Sequence, residues 1–341
     1  MKQFLMFFAA IFGVISFTSC GGSDDDNNLA ALLLQQNSLT NTFTLPATAA
    51  ATYVAAAQPA AEGEAFTGTV NYNQRALAGG SNYITITSPV PYEEFYVGLA
   101  DQVGYYAIPA TAVFQQLITT RAEQTYTYLI QLNYTVNYSR DVAVMLSGRY
   151  TDGSYSGFFE APVVYEVTAT GALSLNLTFD NATDVDLWLI MPNGTRYYYG
   201  NRGVAVNGNG EEVNILDHDS NPSCHIDNLN NENIVVPLNM IQKGEYKVVV
   251  DMFNNCTYGS KPTNWDLVAR YKGNLIVPTY GTNPINGTYP ADAGNHDETV
   301  VMKFVINEGL TPQQTEDMKS IMRPLPLDIM SQMKVEEASW K

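Results

Sequence analysis

Tyr126, Tyr128, Ile130, Leu132, Tyr134, Val136 and Tyr138 place seven apolar residues at every second position, separated mostly by Thr, Gln and Asn. Strand side chains alternate between two faces, whereas a helix needs spacings of three and four, so the run reads as a strand with one buried and one wetted side. Such a strand fits an antiparallel sheet packed on one face only. Shorter runs over 66–72, 83–87, 95–99, 142–146 and 155–159, with Gly, Pro, Ser and Asn between them, predict further strands. Strands of this length and spacing point to an immunoglobulin-like sandwich.

The pattern resumes near Tyr165. Leu173, Leu175, Leu177 and Phe179 alternate with Ser174, Asn176, Thr178 and Asp180, then Val185, Leu187 and Leu189 alternate with Asp184, Asp186 and Trp188. The two strands read as bracketing a turn. Met191-Pro192-Asn193-Gly194 is a hairpin signal leading into 196–199, because Asn and Gly tolerate positive φ. Runs over 245–251, 265–271 and 299–306 supply later strands. Thr311 followed by Pro312 and acidic residues predicts a helix over 311–323. The expected fold is all-β: two antiparallel immunoglobulin-like sandwich domains over 53–164 and 165–308, then a short helical tail over 309–341.

The first residues carry a different signal. Lys2 precedes an apolar run from Phe4 to Phe17, too short to span a bilayer comfortably, and Thr18-Ser19-Cys20 follows. This resembles the lipobox of bacterial lipoproteins, with Phe17 where leucine is usual. The resemblance implies a signal peptide over 1–19 and an acylated Cys20 holding the protein to outer-membrane lipid. Ser23-Asp24-Asp25-Asp26 resembles the acidic signal that sends some lipoproteins to the cell surface. The stretch over 20–52, rich in Asn, Ala and Thr, reads as a flexible spacer.

With Cys20 acylated, Cys224 and Cys256 remain, and in an oxidising compartment they are expected to form a disulfide. A net charge of −17 argues against nucleic acid or anionic lipid as partner, since both need clustered Lys and Arg. Only 15% of residues are charged while Tyr numbers 22, so the surface is made polar largely by uncharged groups.

In the second half, Asp184-Val185-Asp186-Leu187-Trp188, then Pro192-Asn193-Gly194 and Tyr197-Tyr198-Tyr199-Gly200-Asn201, resemble the bacterial YfaP-type β-sandwich, a relative of pre-peptidase C-terminal domains. Ile226-Asp227 with Glu232-Asn233-Ile234, Gly244-Glu245-Tyr246-Lys247-Val248 and Pro262-Thr263-Asn264-Trp265 follow in that family's order. The loop over 207–231 is longer than in the family. The resemblance implies a sandwich and an extracytoplasmic accessory role without a reaction.

Asp184 and Asp186 fall on one face of their strand, with Asp180 ending the strand before. Three carboxylates so placed form a candidate calcium site, because this hard cation takes several oxygen ligands; a solvated acidic face is the alternative. Asp217, His218, Asp219, Cys224, His225 and Asp227 invite a zinc reading but lack paired ligand spacing, and read equally as a polar loop. Trp188, Tyr197, Tyr199 and Trp265 are candidate stacking residues for sugar rings, with at least one of the tyrosine triplet expected in the core. Gly153-Ser154-Tyr155-Ser156-Gly157 has tyrosine where a nucleophile elbow has serine, and neither a His-Glu-x-x-His nor a phosphate-binding motif occurs. The expected function is therefore a non-enzymatic surface lipoprotein that binds a glycan or a surface protein. The alternatives are a structural part of an envelope assembly and, more weakly supported, a surface hydrolase.

Overall fold

In the computed structural model, which describes residues 39–119, 124–169, 171–206, 210–256, 261–293, 296–311 and 314, the apolar phases of the expected strands collect into two separate cores. The leader with Cys20, and most of the expected C-terminal helix, lie outside these residues. At the start of that helix the Gln314 amide donates to Thr311 Oγ1 (3.3 Å) and the Thr311 amide to Gln314 Oε1 (2.9 Å), a reciprocal capping box. Among the described residues no helix is long and apolar enough to cross a membrane.

Each core lies between two sheets. In the first sandwich one sheet runs Phe43–Thr44, Gln124–Tyr134, Ser81–Ser88, Thr69–Tyr72, with Phe114–Thr119 also on Gln124–Tyr134. The other runs Thr52–Val54, Tyr105–Pro109, Tyr92–Leu99, Val142–Tyr150, Phe159–Glu166, Arg75–Leu77, and its last pair is parallel. Tyr128, Ile130, Leu132 and Tyr134 face the core as the alternation requires. The strand stops at Tyr134 because the next amides turn away: Thr135 donates to Thr42 O (3.0 Å) and Tyr138 to Thr135 O (3.1 Å). Val136 is left exposed, while Tyr138 returns to stack on Tyr134.

Two expectations need correction here. The spacer does not extend to Thr52: Leu39 and Phe43 are fully buried, and Phe43–Thr44 pairs with Tyr134 and Asn133. Two isolated apolar residues gain their place by adding a short strand to a sheet edge, which composition does not register. The strand sought over 155–159 is Phe159–Glu166 instead. Residues 156–157 cross the backbone of 61–65, where a Cβ on Gly157 would lie 1.7 Å from the Glu64 carbonyl oxygen.

In the second sandwich one sheet runs Leu216–His218, Asn231–Val236, Leu173–Phe179, Thr263–Tyr271, Asn274–Leu275, with Ile285–Tyr289 also on Thr263–Tyr271. The facing sheet runs Arg196–Tyr197, Asp184–Ile190, Gly244–Asn254, Asp297–Ile306. Leu173–Phe179 and Asp184–Ile190 thus belong to different sheets, and the residues between them arch over the sandwich rather than close a hairpin. The hairpin expected at 191–194 is made, with Gly194 at φ +83° and its amide on Met191 O (2.8 Å).

In the polar phase of Leu173–Phe179, Asn176 and Thr178 are also buried, Thr178 completely, because the first sandwich covers them. Thr178 Oγ1 donates to Ser81 O (2.8 Å), Ser81 Oγ to Asp266 Oδ2 (2.9 Å), Asn73 Nδ2 to Phe179 O (3.1 Å) and Arg270 Nη1 to Gly79 O (2.7 Å). A Cβ on Gly80 would lie 2.4 Å from Asn176 Oδ1, so glycine lets the two sandwiches approach.

Candidate functional site

The strand Asp184–Ile190 sends Val185, Leu187 and Leu189 into the core, so Asp184, Asp186 and Trp188 share its opposite face. Register sets Asp251 of Gly244–Asn254 directly across from Asp186. Like charges placed opposite each other on neighbouring strands repel. Both are buried, as are Asp184 and, from the other sheet, Glu232. Glu232 pairs with Leu177 and shares the phase of Ile234 and Val236, a carboxylate at an apolar-phase position.

The loop between Leu216–His218 and Asn231–Val236 folds over these acids and adds Asp219. Five of its non-glycine residues, Asn221, Ser223, Cys224, Asn228 and Asn230, have positive φ. That costs backbone energy and persists because side-chain hydrogen bonds fix the loop. Asn221 Nδ2 donates to Thr183 O (2.8 Å), Ser220 Oγ to Asp227 Oδ1 (2.7 Å), and the Leu229 amide to the same Asp227 oxygen (2.8 Å). Cys224 is joined to Cys256 with Cα atoms 5.3 Å apart, as expected, tying the loop to the end of Gly244–Asn254.

One ligand oxygen each from Asp186, Asp219 and Glu232 lies within 4.8 Å of the other two. Compensation around them is thin. The Ser220 amide donates to Glu232 Oε1 (2.6 Å), the Ser223 and Cys224 amides donate to Asp184, and Arg202, itself half exposed, reaches Asp219 at 3.5 Å. Asp184 Oδ2, Asp186 Oδ2, Asp219 Oδ1 and Glu232 Oε2 are buried without any hydrogen-bond partner. Burial is the main cause that raises all four carboxyls; repulsion among Asp184, Asp186, Asp219 and other acids adds to it at Asp184, Asp186 and Glu232, while at Asp219 Arg202 partly offsets it: Asp184 is pushed up to about 6, and Asp186 and Glu232 rise further.

Asp180 is not part of this group. Its carboxylate accepts the Asn264 amide (2.8 Å) and Asn264 Nδ2 (2.7 Å), tying the connection after Leu173–Phe179 to the start of Thr263–Tyr271. Nearness along the chain suggested grouping it with Asp184 and Asp186, but the arch between sheets carries it away. The zinc reading gathers no ligand set: Cys224 is oxidised, His218 Nδ1 lies against Asp217 and His225 Nδ1 against Pro222 O.

Two of the four stacking candidates are core residues. Tyr197 and Trp265 are buried in the second core, since Tyr197 pairs with inward-facing Leu189, and Trp265 with Phe179. Trp188 and Tyr199 come together on the outer face. Tyr198 covers Trp188 at 4.6 Å between ring centroids, Tyr199 meets Tyr198 at 4.9 Å and Phe253 at 5.3 Å, and His296 meets Phe253 at 4.8 Å. Tyr198 belongs to the tyrosine triplet that the sequence raised as a platform, whereas Phe253 and His296 were not singled out by the sequence. Phe253 carried a usable signal, two residues beyond Asp251 in the same strand phase. Asp186 and Asp251 lie close enough to raise the Tyr199 hydroxyl, although its burial contributes most.

No family model matches the sequence, and no curated protein matches it. Among solved structures the chain is similar to one described as "Structures of Clostridium thermocellum CbhA fibronectin(III)-like modules", at 15% identity and a TM-score of 0.18, over 60% of this chain and 92% of that one. The all-β fold of two antiparallel sandwiches is accordingly read from the sheets of the chain itself.

Proposed function

We propose that this chain is a non-enzymatic binding module, lipid-anchored through Cys20 at the bacterial cell surface, that holds a glycan on the outer face of its second sandwich. The observation that carries this reading is the ring cluster of Trp188, Tyr198, Tyr199, Phe253 and His296. Trp188 is buried within the cluster, while Tyr199 and His296 are exposed at its surface. An aromatic face packs on the C–H groups of a sugar ring, and neighbouring carboxylates and amides accept its hydroxyls. The excess of acidic groups favours a neutral glycan over a polyanionic one. The lipobox and the YfaP-type motifs agree with an accessory role outside the cytoplasm.

A glycan-array screen of the purified protein tests the proposal. Reproducible binding is expected, and Tyr199→Ala should weaken it by at least about tenfold, the loss of one stacking contact. A blank array, or binding indifferent to Tyr199→Ala, would remove the glycan reading and favour a surface protein as partner.

A further inference from the structure

We propose that Asp184, Asp186, Asp219 and Glu232 form a calcium site closed by the disulfide-tethered loop over 219–230. A cluster of acids alone would not carry this, since charged edges are common. Here Asp186 and Glu232 are 3% and 0% exposed, each carries a buried oxygen without a hydrogen-bond partner, and each places a carboxylate oxygen within 4.8 Å of the others and of Asp219. Burying a charge without a counterion is among the most costly arrangements in a protein, and a divalent cation relieves several at once.

The chemistry of the donors selects the ion. All four are carboxylates, and Cys224, on the loop that closes the site, is in a disulfide, so the nitrogen and thiolate ligands preferred by zinc are missing from the set. Magnesium is usually held by one or two carboxylates and keeps most of its water, whereas calcium accepts six to eight oxygens in irregular geometry. Oxygens of one calcium shell stand up to roughly 5 Å apart, twice the metal–oxygen distance, which matches the oxygens of Asp186, Asp219 and Glu232 within 4.8 Å, with Asp184 next to Asp186 on the same strand face. The site takes its donors from two sheets and one loop, so an ion here would lock the loop onto the sandwich edge. It differs from the grouping suggested by the sequence by excluding Asp180 and including Asp219 and Glu232.

The test uses purified protein stripped with a chelator and titrated with calcium chloride in a calorimeter, alongside melting curves. One calcium should bind, and at about a hundredfold excess over Kd the melting temperature should rise by roughly 5–10 °C. Asp186→Asn combined with Glu232→Gln should abolish both responses, yet melt higher than the unmodified protein in chelator, because buried repulsion is gone. Asp180→Asn should keep the calcium response. If the double variant does not fold, Asp219→Asn, on the loop rather than in a strand, should bind calcium at least about tenfold more weakly. Silence of the unmodified protein toward calcium, a response retained in the double variant, an unchanged affinity in Asp219→Asn, or an equal response to magnesium would each overturn the assignment. None of these readouts involves a glycan, so the site and the binding face stand or fall separately.

Discussion

The second sandwich buries polar groups in two places, and the two are built differently. Against the first sandwich, Asp266 is surrounded by donors: Ser81 Oγ at 2.9 Å, Gln131, and the guanidinium of Arg270 nearby. Neutral hydroxyls and amides of Thr178, Ser81 and Asn73 complete that surface with direct bonds across the two units. At the acid site, Asp186, Asp219 and Glu232 meet beside Asp184 with one half-exposed guanidinium and a few backbone amides, and four buried carboxylate oxygens are left over. Buried polar groups that satisfy one another make a joint; buried groups of one sign with nothing to satisfy them make a receptor. The joint leaves a neutral amide, Asn176 Nδ2, without a partner, whereas the acid site leaves four carboxylate oxygens, which the proposed calcium would satisfy.

Releasing the loop over the acids tests this contrast most severely. Replacing Cys224 and Cys256 together by serine opens a link spanning 32 residues and should lower stability by about 3 kcal/mol in urea unfolding. The direct bonds of the joint away from the loop should be untouched, seen as unchanged hydrogen-exchange protection of residues 173–177, whereas Phe179, whose amide donates to Asn230 O in the loop, should lose protection. A loss below about 1 kcal/mol would show that the Asn221, Asp227 and Ser220 hydrogen bonds hold the loop by themselves.

Thr178→Val attacks the joint. It preserves shape but deletes a fully buried hydroxyl that donates to Ser81 O and lies 2.8 Å from Asn231 Oδ1. A cost of about 2 kcal/mol is expected, because partners buried at the joint lose their bond. No change in the unfolding midpoint would mean that the two sandwiches are not held by these bonds.

Asp266→Asn should have the smallest effect, and of the opposite sign. Burial, partly offset by Ser81, Gln131 and Arg270, raises this carboxyl to about 6, above the ordinary aspartate value of 3.8. A folded pKa raised this way means that the folded state binds its proton more tightly than the unfolded chain. The contribution is therefore most favourable at acid pH and is lost as pH rises from about 4 through about 6. Asparagine should stabilise the protein by about 1 kcal/mol at pH 8, with the gain fading as pH falls toward 4. An advantage that does not depend on pH would show that ionisation of Asp266 has no part in it.

Much of this architecture was legible in the sequence. Alternation identified the inward faces of Gln124–Tyr134, Leu173–Phe179 and Asp184–Ile190, and the Pro-Asn-Gly signal located a real hairpin. The same alternation misled about the other faces, for it separates two sides without saying what lies on each. Asn176 and Thr178 looked solvated and are covered by another sandwich; Tyr197 and Trp265 looked like a sugar platform and are core. Glu232 carried a readable anomaly, a carboxylate in phase with Ile234 and Val236, and a charge at such a position marks an unusual environment on sequence grounds alone.

Local geometry followed from the order of residues: which of them are strand, which side of each strand is apolar, where the chain turns, and, with Cys20 set aside, which two cysteines pair. Those properties depend on neighbours a few residues apart, or on there being only one partner to choose. That Asp186 meets Asp219 and Glu232 while Asp180 turns to Asn264 came from the packed fold and from nothing nearer. Strand pairing and sheet crossing set distances across the sandwich, and these bear no fixed relation to separation along the chain.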